Sequence, residues 1–200
     1  MEGMQIDILV FDGFDEMDAI GPYEVFRNAG FDARLVTVDG AATVTASHGM
    51  ALEPHGTLGD RPDAVLVPGG GWNDDAPQGA RAEAARGEIP ARLRALAADG
   101  VTMTSVCTGA MLLAAAGITD GRPAVTHHAA IDDLRASGAI VHEDARVVDA
   151  GDLITAGGVT SGIDLALHLV ERERGRPAAD AIAREMEHRR DERVLVAPTS

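Results

Sequence analysis

What most limits the fold of this chain is a recurring punctuation. Short β-rich apolar runs stop abruptly at a turn or at a small residue and give way to a helical stretch. Residues 6–11 end in the turn Asp12-Gly13, residues 64–67 in Pro68-Gly69-Gly70-Gly71, residues 101–106 at Cys107, and residues 153–156 at Gly157-Gly158. Between and beyond them, the apolar spacing predicts a helix with Pro22 in its first turn that runs through Asn28, and others over 89–99, 108–116, 129–137 and 161–174; a last one opens at Pro177 and reaches about 190. Further strands are expected at 34–38 and 124–126. Hairpins are expected from 44–45 with 50–53 around Ser47-His48-Gly49, and from 139–141 with 146–149. Strands alternating with helices argue for a mostly parallel sheet covered by helices on both faces. The expectation is a single α/β domain over 1–192, with 193–200 a tail that is frayed or docked on a partner.

Composition narrows function by exclusion. Acidic residues outnumber basic ones by 32 to 17, a formal charge of −15. Such a chain repels phosphate backbones and anionic bilayers, so neither nucleic acid nor membrane is expected as a partner. No apolar run approaches the roughly 18–20 residues of a membrane helix. The start MEGMQIDILV lacks the basic region of a signal peptide, and the expected location is the cytoplasm. All 17 basic residues are Arg, which excludes Schiff-base lysine chemistry and a Walker-type phosphate lysine. The single cysteine, Cys107, excludes internal disulfides, CxxC redox pairs and multi-cysteine zinc sites. The histidines show no HxxxH or HxH spacing, and neither a metal nor another cofactor is expected.

Cys107 stands where an apolar strand runs straight into an apolar helix, among the small residues Ser105, Gly109 and Ala110. That is the layout of a nucleophile elbow, a tight turn that lifts the nucleophile above the carboxyl edge of the sheet. The following helix would favour a thiolate through its N-terminal N–H groups. The three glycines after Pro68 let backbone N–H groups approach a reacting atom closely. Asp12, Asp15, Glu16 and Asp18 crowd the loop after the first strand. Asp18 is the best placed of them to move protons to and from a substrate, and the other three are expected to be merely solvated. His127 and His128 follow a strand on the same edge, and since adjacent side chains usually diverge, at most one of them should face the thiol.

The segments 11–26 (FDGFDEMDAIGPYEVF), 67–71 (VPGGG), 104–109 (TSVCTG), Thr126-His127-His128 and 155–164 (TAGGVTSGID) occur in this order across nearly the whole chain. Together they resemble the DJ-1/PfpI superfamily, most closely its isonitrile hydratase branch. The resemblance implies a flavodoxin-like three-layer sandwich, usually dimeric, with a reactive cysteine on an elbow. It implies Cys107 as nucleophile and Asp18 as acidic partner, with Thr108 assisting through its hydroxyl and N–H. Gly70 or Gly71 would give a second N–H to the developing anion, and His127 and His128 would border the substrate. Protease-like members carry His where this chain has Thr108, and the DJ-1 branch carries Glu where it has Asp18. His128 stands where hydratase-like members often carry Trp. Related domains also occur fused to AraC-type DNA-binding domains, and this chain is expected to end too soon for that fusion.

The expected activity is therefore cofactor-free hydration of a small, neutral, electrophilic isonitrile to an N-substituted formamide through a Cys107 thioimidate, in a homodimer. Two alternatives stand beside it. One is a glyoxalase-like enzyme acting on 2-oxoaldehydes with His127 or His128 as base. The other is a non-catalytic oxidation sensor or binding module built on Cys107.

Overall fold

The computed structural model describes residues 3–73, 76–191 and 193–197. In chain order the strands are β1 (Gln5–Leu9), β2 (Asp32–Thr37), β3 (Val44–Thr45), β4 (Ala51–Leu52), β5 (Gly56–Thr57), β6 (Ala64–Val67), β7 (Thr102–Val106), β8 (Pro123–Ala124), β9 (Ile140–Val141), β10 (Val147–Asp149), β11 (Leu153–Ala156) and β12 (Val194–Val196). The helices are α1 (Glu16–Asn28), α2 (Ala80–Arg86), α3 (Glu88–Ala98), α4 (Gly109–Ala115), α5 (Ile131–Ala136), α6 (Ser161–Arg174) and α7 (Arg176–Glu185).

Eight strands form the central sheet in the order β12-β10-β11-β7-β6-β1-β2-β5. Every neighbouring pair is parallel except β10 with β11. The inner strands are apolar on both faces, as a sheet covered by helices requires: Ile6, Ile8, Leu9, Val65 and Leu66 are fully buried. Helices α1, α6 and α7 pack together, and α2, α3 and α4 form a second group. The result is the expected three-layer α/β arrangement. One buried charge interrupts β1: Asp7 takes a two-pronged grip from Arg34, at 2.8 and 3.0 Å from one guanidinium nitrogen, and the Gly59 N–H at 2.8 Å.

The differences from the sequence reading have local causes. Helix α1 starts at Glu16, because the Asp15 carboxylate caps it by accepting the Met17 N–H at 3.1 Å. Pro22 is therefore inside the helix rather than in its first turn. Lacking an N–H, it leaves the Asp18 carbonyl without its usual helical donor. Residues 146–149 pair antiparallel with β11, and β9 instead runs parallel to β8 in a separate two-stranded sheet, so the second expected hairpin does not form. The first one does, between β3 and β4. Val194–Val196, expected in a frayed or docked tail, add an edge strand parallel to β10; residues 198–200 lie outside the described residues. Helix α7 stops at Glu185, short of 190.

Candidate active site

The chain order reverses between β2 and β6, which flank β1 on opposite sides. The carboxyl ends of β1, β6, β7 and β11 converge near that reversal, where α/β sheets leave a crevice. Cys107 leaves β7 there with φ 56°, the left-handed conformation of a true elbow. Such a φ is costly outside glycine, and the surroundings hold it. The Cys107 N–H donates to the Gly157 carbonyl at 2.8 Å, and its carbonyl accepts the Thr126 hydroxyl at 2.9 Å. Gly109 is obligatory two residues later, since a Cβ there would come within 2.0 Å of the Val67 carbonyl oxygen.

Asp18 is fully buried on α1. Its Oδ2 accepts the Gly69 N–H at 2.8 Å, whereas its Oδ1 has no hydrogen-bond partner of normal geometry. The Cys107 thiol is the polar side chain that faces this carboxyl. Burial, reinforced by the Asp15 charge, pushes the Asp18 pKa up to about 8 against the pull of the Gly69 N–H and the thiol. Burial and then the Asp18 charge push the Cys107 thiol up to about 12, while the N–H groups of Thr108 and Val159 pull the other way. Burial thus outweighs the thiolate-favouring helix start expected from the sequence. Because the Asp18 charge raises the thiol and the thiol in turn lowers Asp18, the two groups titrate as a pair. Near neutral pH the site holds a carboxylic acid against a thiol, both protonated.

The glycine segment serves this pair in a different way from that expected. The Gly70 N–H is committed to the Thr108 Oγ1 at 2.9 Å, while the Gly71 N–H has no acceptor among the described residues. Gly69, not singled out in the sequence, is the glycine that fixes Asp18. A Cβ on it would lie 2.5 Å from both the Thr108 nitrogen and its hydroxyl. The signal was present, since only such a residue lets β6 and the elbow touch.

The three neighbouring carboxylates are structural rather than merely solvated. Asp12 accepts the Thr45 N–H at 2.8 Å, Asp15 caps α1, and Glu16 accepts from His48. His127 and His128 do not diverge: their rings lie 4.1 Å apart at 40°. His127 is half-buried over Gly158, and its Nδ1 accepts the Ala129 N–H at 3.2 Å. Burial, with the His128 charge, lowers its pKa, so the ring is neutral with its proton on Nε2. His128 is exposed on the wall of a cavity of about 550 Å³ that also includes Thr126, Arg146, Gly157, Gly158 and Ser161. That cavity backs onto the elbow through Gly157 and Thr126, and Cys107 is not on its wall. Among the described residues no three His, Cys, Asp or Glu side chains converge as metal ligands do. Nor, among the described residues, is any helix long and apolar enough to cross a membrane.

A doubly wound sheet with a left-handed cysteine elbow facing a buried acid defines the class: an α/β protein with a thiol–acid pair at the carboxyl edge of its sheet. The chain belongs to the DJ-1/PfpI family, whose model matches residues 4–172. It is 38% identical over 188 residues to the isonitrile hydratase of Pseudomonas putida, covering 92% of this chain and 78% of that one. It is 33% identical over 180 residues to the HTH-type transcriptional regulator CdhR of Pseudomonas aeruginosa, a match that takes in 84% of this chain and 50% of the regulator. The crystal structure of a ThiJ/PfpI family protein from Pseudomonas syringae superposes with a TM-score of 0.83 at 32% identity, covering 96% of this chain and 77% of that one.

Proposed function

We propose that this chain hydrates isonitriles to N-substituted formamides through a covalent Cys107 intermediate. The observation that carries the reading is the neutral pair: a carboxylic acid pinned by Gly69 against a protonated thiol. Addition to an isonitrile carbon needs a nucleophile and a proton at the same atom. As the Cys107 sulfur bonds to the terminal carbon, Asp18 gives that carbon its proton and takes up the thiol proton, leaving a thioimidate. Water then adds to the thioimidate carbon, the nitrogen gains a proton, and the carbon–sulfur bond breaks. Sulfur recovers its proton and the formamide departs. The kinship with a relative named isonitrile hydratase supports the same chemistry.

The alternatives fit less well. A glyoxalase-like route wants a histidine base, but the Nδ1 of His127 is taken up by the Ala129 N–H and its Nε2 is a donor. An oxidation sensor wants a thiolate, and Cys107 is pushed far from one. A homodimer working in the cytoplasm belongs to the same proposal.

The test is incubation with a small alkyl isonitrile, following formamide by chromatography, with Cys107→Ala alongside. Turnover that vanishes in the variant is expected. Formamide formation independent of Cys107 overturns the proposal. Consumption of methylglyoxal dependent on His127 or His128 would instead support the glyoxalase route.

A further inference from the structure

A second cavity opens at the carboxyl ends of β1 and β2, where the loops that follow them meet the junction of α2 and α3. It holds about 100 Å³, the space of roughly three waters at about 30 Å³ each. Neither Cys107 nor Asp18 is on its wall. Its floor is apolar, with Phe11, Val44 and Ile89 buried beneath it. Its rim is acidic: Asp12, Asp39, Glu83 and Glu88 stand against the guanidinium of Arg86.

An acidic rim alone would be a solvated surface, but two buried groups set this one apart. Thr37, on the wall at the end of β2, is 2% exposed, and its hydroxyl has no hydrogen-bond partner among the described residues. A buried hydroxyl left without a partner is rare enough to ask what meets it. The Glu83 side chain is 9% exposed. One of its oxygens takes the Arg86 guanidinium, and the other has no donor among the described residues. Burial, and then the charges of Asp39 and Asp12, raise its pKa against the pull of Arg86. The cavity is thus short of positive charge and of hydrogen-bond donors, above a floor that suits hydrocarbon.

We propose that the cavity binds a small primary ammonium ion, its N–H donors on the Thr37 hydroxyl, the free Glu83 oxygen and the Asp39 carboxylate, and its alkyl chain on the floor. An ammonium head has three donors and no acceptor, which matches a wall of acceptors. A quaternary head wants an aromatic cage, and Phe11 is the one ring on this wall. Among the described residues no three carboxylates converge as metal ligands do, so hydrogen bonds and apolar contact hold the cation. The chain has no Lys, so a second copy cannot supply the head. The volume admits a free amine with a short chain, without room for a peptide backbone. The site shares no residue with the thiol–acid pair and stands apart from the isonitrile reading.

The test follows backbone amide shifts while propylammonium chloride replaces sodium chloride at constant chloride. The shifts should saturate at one site, with the largest changes in residues 37–41 and 83–89. Thr37→Val removes the unpartnered hydroxyl, so it should leave Tm unchanged or higher and weaken binding about three- to tenfold. Glu83→Gln should weaken binding about ten- to a hundredfold, the range for one hydrogen bond to a charged group. Shifts that do not saturate, or that tetramethylammonium chloride reproduces, overturn the proposal. So does unchanged affinity in either folded variant, and Thr37→Val decides alone should Glu83→Gln not fold. Nα-acetyl-lysinamide should bind more weakly than propylammonium. The reverse order assigns the site to a lysine of another protein and overturns the free-amine reading.

Discussion

Glu16 and Asp18 lie two residues apart in the first turn of α1, yet one gives up its proton near pH 2 and the other near pH 8. Both feel the same helix N-terminus, so the helix dipole cannot separate them. Burial pushes both upward. At Glu16 that push is outweighed by the His48 ring at 2.6 Å and the His48 N–H at 2.8 Å, in a pair that stays in contact with water. At Asp18 burial is complete, the Gly69 N–H and the Cys107 thiol offset only part of it, and Asp15 adds a like charge. The difference teaches that the first turn of this helix is divided by depth. Its outer carboxylate fastens the β3–β4 hairpin to α1, and its inner one is kept as an acid.

The sharpest way to break that division is Asp18→Asn, which keeps an acceptor for the Gly69 N–H but removes the acid. Loss of a positioned proton donor typically costs about 10²–10⁴ in turnover, and a loss of that size is expected in the isonitrile assay. The pH profile carries the finer information. Any turnover by the unaltered protein should fall as pH rises through about 8, where Asp18 gives up its proton. Residual activity in the variant should lack that limb. Full turnover in Asp18→Asn would mean that the buried acid is not the proton source.

The same proton should be visible in folding. Asp18 has a folded pKa of about 8 against the ordinary 3.8 of the free side chain, so the folded state holds a proton that the unfolded chain releases. Its contribution is fully present below pH 3.8 and declines as pH rises to about 8, by about several kcal/mol. Urea midpoints measured from pH 4 to pH 9 should therefore fall more steeply for the unaltered protein than for Asp18→Asn. Parallel curves would show that Asp18 is hydrated in solution.

Gly69→Ala attacks the support of the inner carboxylate. Its Cβ would sit 2.5 Å from backbone and hydroxyl atoms of Thr108, and the backbone has no rotamer to escape into. Overpacking of this kind costs about 1–3 kcal/mol, and the Asp18 limb of the pH profile should shift with it. A variant as stable and active as the parent would show that β6 and the elbow are farther apart than the close contact implies.

How much of this was legible follows from which interactions are local. The elbow, the glycine segment and Asp18 could be read because each interrupts an apolar run at a place where only small or acidic residues fit. The helix Ser161–Arg174 was legible to the residue through its apolar spacing. Helix α2 was not, because Ala80–Arg86 carries no large apolar side chain and finds its stability against α3 and α4. Strand β12 was missed because three residues pair with β10 across about fifty positions of sequence, a contact no local pattern encodes. The left-handed Val159 (φ 37°), in the turn between β11 and α6, was missed for a related reason. A β-branched residue argues against a left-handed turn, and only the hydrogen bonds that clamp Gly157 and Gly158 reverse that preference.

The outer half of the comparison is sharpened by His48→Ala, the smallest effect expected. Hydrogen bonding to Glu16, and then its charge, raise the pKa of His48 above 6.5, while Glu16 is lowered to about 2. Glu16 therefore contributes stability above its unfolded value of 4.5 and loses it as pH falls through about 2. His48 contributes below 6.5 and loses its share as pH rises through its higher folded value. The pair is charged on both sides only between those limits. His48 is exposed, so the attraction is screened by water and salt. His48→Ala should lower Tm by about 1–2 °C near pH 6, and the difference should vanish near pH 10 or in about 1 M salt. Turnover at Cys107 should not change, because the hairpin tie and the acid pair share a helix turn but no hydrogen bond. A matching fall in turnover would join the two carboxylates into one unit and undo the division by depth.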